Sequence, residues 1–182
     1  MTDEHLRALE RRFLHTRNPD DELAWRRAGL RLGHVADPDA LTAAAQLGHP
    51  LARALLEWPD DGPTELRDMI RGVVFRTASG DLHPEAERPF EPTSQDLTGR
   101  KRYLGLIADD LREAVGETLP EPLREHLDET VEACADPSEP ASAVAADLAH
   151  LCDRCLASVE RSTLEASLAR TAERLLELAF GG

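Results

Sequence analysis

Proline-marked breaks fall at short intervals along this chain and limit what it can fold into more tightly than any other feature. "NPDD" at 18–21, "ADPDA" at 36–40, "LGHP" at 47–50, "GETLPEP" at 116–122 and "ADPSEP" at 135–140 cut much of it into short segments. Proline fixes its own φ and lacks an amide hydrogen, so each break ends one element and suits the first turn of the next. Between the breaks, apolar residues recur at i, i+3, i+4 and i+7, the period of a helix with one buried face. The expected fold class is all-α.

In the first half, Asp3 and Glu4 open a helix where negative charge suits its N-terminal dipole, with Leu6, Leu9 and Phe13 on one side. Asp20 is expected to cap a second helix, in which Trp25, Ala28 and Leu32 share a face and Gly33 is the terminator. Leu41, Ala44, Ala45 and Leu47 mark a third, and Pro50 starts a fourth. Residues 64–77 carry Leu66, Met69, Ile70 and Val73 at helical spacing, and helix is expected there although "GVVF" also suits extended chain. Helices this short are unstable alone, so residues 1–77 are expected to stack as paired hairpins in an N-terminal domain. Residues 78–96 contain three prolines and few large apolar groups, and read as a linker in which His83 and Phe90 are surface punctuation.

Residues 97–182 show four stripes. They are Leu104, Ile107, Leu111 and Val115; Leu123, Leu127, Val131 and Cys134; Val144, Leu148, Cys152, Cys155 and Val159; and Leu164, Leu168, Ala172, Leu175 and Leu178. Short connections make sequential helices antiparallel, so an up-and-down four-helix bundle is expected, with a continuous α-solenoid as the alternative. Gly181 reads as the terminator of the last helix.

The stretch "LAHLCDRCLASVE" at 148–160 raises the question of a metal. On a helix, Cys152 and Cys155 lie within about 60° of each other on the buried stripe, whereas His150 lies roughly 160° from Cys152. The three groups therefore cannot share one tetrahedron, and with Cys134 nearby there are three sulfurs and no fourth ligand. Packing is the expected role, and neither metal nor cofactor is expected. An odd number of cysteines reads as reduced thiols. No zinc-protease, di-iron, phosphate-loop, dinucleotide or serine-elbow motif occurs, so catalysis is not expected. Asp147 and His150 are expected to form a surface ion pair, and His49 to cap or fill its turn.

Net charge of −14 is concentrated in one place. From Glu117 to Asp147 there are nine acids against a single base, Arg124. Glu121, Glu125, Asp128, Glu129, Glu132, Asp136 and Glu139 form the expected binding face, which would repel phosphate backbones and anionic lipid and steer a basic protein toward it. Trp58 is either an apolar anchor of that interface or a residue that closes the N-terminal core. No apolar run reaches the roughly 18 residues of a membrane span, and the start is charged, so a cytoplasmic protein is expected. The function expected is a non-catalytic interaction module, an adaptor, regulator or immunity-type inhibitor of a basic partner protein. The alternative is a small-molecule- or metal-binding bundle, with or without enzyme activity, built on the three cysteines. Oligomeric state leaves no trace in the sequence.

The segment "DELAWRRAGLRLGHVADPDALTAAAQLGHPLARALLEW" resembles a short helical unit of proteins from GC-rich bacteria. The matching positions are Asp21, Glu22, Trp25, Leu41, Ala44, Leu47, Gly48, Pro50, Ala52, Arg53, Ala54 and Leu55. The resemblance implies a helical-repeat interaction module and no reaction.

Overall fold

The computed structural model describes residues 3–58, 65–75 and 94–181. Among them lie nine α-helices and no strand, so the fold is all-α. In chain order they are α1 Asp3–Thr16, α2 Pro19–Arg31, α3 Pro38–Gln46, α4 Pro50–Leu55 and α5 Leu66–Phe75. They continue as α6 Ser94–Val115, α7 Glu121–Ala135, α8 Ala141–Cys155 and α9 Arg161–Ala179, with a 3-10 turn at Gly116–Thr118.

The prolines set the helix starts, with one change of residue. Asn18, Asp37 and His49 each precede a proline that takes an opening position of α2, α3 or α4. A residue before proline is held extended, the conformation a capping side chain needs. Asn18 Oδ1 accepts from the Asp20 amide at 2.9 Å, Asp37 Oδ1 from Ala40 at 3.1 Å and His49 Nδ1 from Ala52 at 3.4 Å. Asn18 rather than Asp20 therefore caps α2. Between α3 and α4 the chain reverses through Gly48 at φ +91°, a conformation that costs glycine nothing.

α6, the longest helix at 22 residues, is the hub, packed by α3, α5, α7, α8 and α9. α3 lies along α9 and α5 along α8. Ala40, Ala43, Ala44 and Ala45 of α3 are all fully buried, and side chains this small let neighbouring helices approach closely. α5 contributes Ile70, Val73 and Val74, also fully buried.

This packing corrects the expected arrangement. Among the described residues α8 and α9 share no packed seam, so residues 97–182 do not close a bundle by themselves; α3 and α5 occupy the flanking places. One core runs from Ala40 to Ala179 across the anticipated boundary. The expected linker at 78–96, with His83 and Phe90, lies outside the described residues except from Ser94 onward. The solenoid also fails, because the amides of Ala36 and Asp37 both donate to the Ala179 carbonyl, at 2.8 and 3.3 Å. A one-dimensional stack has no such return contact. At the end of α9, Leu178 is exposed, unlike the rest of its stripe.

α1 and α2 form a hairpin around the stacked rings of Phe13 and Trp25, 5.6 Å apart. Buried Asp21 receives Arg12 at 2.8 Å and the Thr16 hydroxyl at 2.6 Å. The Arg26 guanidinium sits 4.3 Å from the ring centres of both Trp25 and Phe180, linking α2 to the chain just after α9.

Tyr103 makes a second link between the halves. Its hydroxyl donates to Asp37 Oδ1 at 2.9 Å and accepts from Arg102 Nη2 at 2.8 Å, while its ring is fully buried. Burial pushes the phenol up to about 12, with Arg102 opposing and Asp37 assisting. A raised pKa in the folded state means that unfolded chains lose this proton first, from about pH 10. Stability is therefore expected to be intact below about pH 10 and to fall as pH climbs toward about 12. The chain holds a single tyrosine, so absorbance of the phenolate reads Tyr103 alone. A native titration midpoint near 10, or an unchanged alkaline stability profile in Tyr103→Phe, contradicts this account.

Candidate functional site

α7 carries the acidic face. At about 100° per residue, Glu121, Glu125, Asp128, Glu129 and Glu132 fall within an arc of about 100°. Leu123, Leu127 and Thr130 are buried on the other side. All five acids are exposed, as are Asp136 and Glu139 in the following turn. The only cation that the described residues place within 4.0 Å of the five is Arg112, at 3.9 Å from Asp128, and Arg112 also pairs with Asp109 at 2.9 Å.

The turn beyond α7 is held from beneath. Lys101, the chain's one lysine, is buried and donates from Nζ to the backbone carbonyls of Asp136 and Glu139, the second at 2.8 Å. An ammonium at a helix C-terminus satisfies carbonyls that the helix leaves open. The Asp136 carboxyl is held below the usual range because the Ser138 amide and hydroxyl both donate to it. Hydropathy alone gave no sign that this lysine is interior.

Trp58 does not belong to the face. It is 7% exposed and part of the core. Glu57 adopts φ +52°, which turns the chain after α4 and folds the indole inward, and the Trp58 amide donates to the Arg53 carbonyl at 2.9 Å. The expectation of an exposed anchor is thereby corrected.

The cysteines lie as their spacing indicates: Cys152 and Cys155 buried, Cys134 half-buried, His150 exposed. All three are free. Burial pushes the Cys152 thiol up to about 12 and the Cys134 thiol up to about 11, unfavourable for a nucleophile or a thiolate ligand. Among the described residues, no three His, Cys, Asp or Glu side chains converge as a metal site. No described helix is long and apolar enough to cross a membrane.

A second feature had no counterpart in the sequence reading. Between α2, the α3–α4 turn and α9 lies an open groove of about 530 Å³. Leu23, Leu47, Leu51, Ala172 and Leu176 contribute apolar walls. His49 spans it: while Nδ1 caps α4, Nε2 lies 2.6 Å from Glu173 Oε2. Because Nδ1 accepts a proton from the Ala52 amide, Nε2 bears the ring hydrogen in the neutral form and donates it to Glu173. The pair is 124 positions apart in the chain, so no local motif announces it.

Comparison with protein-family models, with curated proteins and with solved structures finds no match to this chain.

Proposed function

We propose that this protein is a non-catalytic interaction module, an adaptor, regulator or immunity-type inhibitor, that receives a basic partner protein on the acidic stripe of α7. Glu121, Glu125, Asp128, Glu129 and Glu132 are the contact residues, extended by Asp136 and Glu139. The observation that carries this reading is the density of like charge on one exposed arc with a single weak countercharge nearby. Three pairs stand at i, i+4 (Glu121 with Glu125, Glu125 with Glu129, Asp128 with Glu132) and two at i, i+3 (Glu125 with Asp128, Glu129 with Glu132). Each like-charge pair costs a helix about 0.2–0.5 kcal/mol, so the stripe costs about 1–2 kcal/mol that a cationic surface would relieve. Nucleic acid and anionic membrane would be repelled by the same field.

Every one of those five pairs includes Glu125, Glu129 or Glu132. The triple variant Glu125→Gln, Glu129→Gln, Glu132→Gln is therefore expected to be more stable by about 1 kcal/mol in low salt. It is also expected to lose its partner. Affinity capture from host extract with both proteins, at low salt and again near 1 M where the screening length is about 3 Å, is the test. Proteins of high isoelectric point held only by the original chain, and only at low salt, support the reading. Capture that ignores both the substitutions and the salt sinks it.

A further inference from the structure

The groove beside α9 has a chemistry distinct from that of the α7 stripe. Its volume of about 530 Å³ is that of a site for a small organic molecule. The floor is apolar and buried at Leu47, Ala172 and Leu176, while Leu23 and Leu51 are half-buried along the walls. The charged side chains lining it are all acids, Asp20, Glu22 and Glu173, and among the described residues no lysine or arginine lines it. Glu22 is shared with Arg26 at 3.7 Å, whereas Asp20 has no cation within 4.0 Å among the described residues. Glu173 is 62% exposed at its side chain and engages His49 through Oε2, which leaves Oε1 able to accept another hydrogen bond. Apolar walls with a carboxylate rim select by charge as well as by shape, since an anionic headgroup would meet three like charges.

We propose that this groove binds an apolar organic cation, a hydrophobic chain or ring bearing a protonated amine, with the hydrocarbon between Leu23, Leu51 and Leu176 and the ammonium at Glu173 and Asp20. His49 acts as a positioning residue: its place is fixed by the cap on α4, and its Nε2–H holds one carboxylate oxygen so that the other faces the ligand. The site is independent of the partner assigned to α7.

The probes are n-octylammonium, n-octanol and n-octanoate, which share one chain and differ in head charge. Each is titrated into the full-length protein while backbone amide resonances are followed by NMR. Octylammonium is expected to give saturable shifts at Gly48, Leu51, Ala172 and Leu176, and to bind at least about threefold more tightly than octanol, as a partly exposed ion pair allows. Octanoate is expected to bind most weakly. Glu173→Gln should erase the preference for the cation while octanol binding persists. Ala169→Trp, made at an exposed position of α9 that lines the groove, should abolish all three responses with its melting transition retained. Three outcomes overturn the proposal: no saturable response at the groove, as when it seats only a partner's helix or nothing; octanoate binding as well as octylammonium; or cation shifts confined to α7.

Discussion

Truncating Arg174 to alanine is expected to lower stability by about 3 kcal/mol, more than truncating the acid it pairs with. Asp110 on α6 is 1% exposed; it receives Arg174 Nη1 at 2.7 Å and the Thr171 hydroxyl at 2.7 Å, both from α9. Without Arg174 the carboxylate stays buried with one neutral donor, and such orphaned charges cost about 3–5 kcal/mol. The low end applies because the arginine side chain is 44% exposed, so water can enter where it stood. Asp110→Ala leaves less distress behind. The guanidinium already reaches solvent, and the Thr171 hydroxyl has a second acceptor in the Ser167 carbonyl at 3.2 Å. Losing the charge-assisted bonds should then cost about 2 kcal/mol. The double variant should resemble Asp110→Ala, because removing the arginine matters only while the acid is present. Urea unfolding of the four proteins decides the matter. A loss below about 1 kcal/mol for Arg174→Ala, or the reverse order of the single variants, shows that the pair is solvated rather than buried.

Gly72→Ala should lower stability by about 2 kcal/mol even though alanine is the better helix former. A Cβ at Gly72 would lie 2.8 Å from Gln46 Cγ and closer still to its Cδ and Nε2. Gln46 is 1% exposed on α3 and donates from Nε2 to the Asp68 carbonyl at 3.4 Å, so it has no open space to swing into. Overpacking of this kind costs about 1–3 kcal/mol, and its upper range outweighs the gain of roughly 1 kcal/mol from replacing a helical glycine. Gln46→Ala should rescue the variant by opening room for the methyl group, with a coupling of at least about 1 kcal/mol between the sites. A neutral or stabilising Gly72→Ala, with no coupling to Gln46, shows that the α3–α5 seam is looser than drawn.

Both effects arise at joints that the stripes did not specify. Leu164, Leu168, Ala172 and Leu175 mark the buried face of α9, and each is buried as their period requires. Asp110, Thr171 and Ser167 are polar members of buried faces, and only their partners across the α6–α9 seam make them tolerable there. Lys101 is a similar case: its ammonium is satisfied by carbonyls more than thirty residues away. The acidic stripe was legible in full, because spacing on one helix places Glu121, Glu125, Asp128, Glu129 and Glu132 on one side whatever that helix packs against. Trp58 was not, since its direction depends on the left-handed turn at Glu57 rather than on any period.

Amino-acid order alone determined that the chain is helical, where most helices begin, which side of each is greasy, and where negative charge collects on α7. These are local consequences of proline geometry and of a period of about 3.6 residues, and they need no partner. Tertiary structure alone decided that α3 lies on α9 and α5 on α8, that both halves share one core, and that His49 meets Glu173 beside a groove. An apolar stripe is attracted to any other apolar stripe; which two meet depends on complementary volume and on buried hydrogen bonds between residues far apart in the chain.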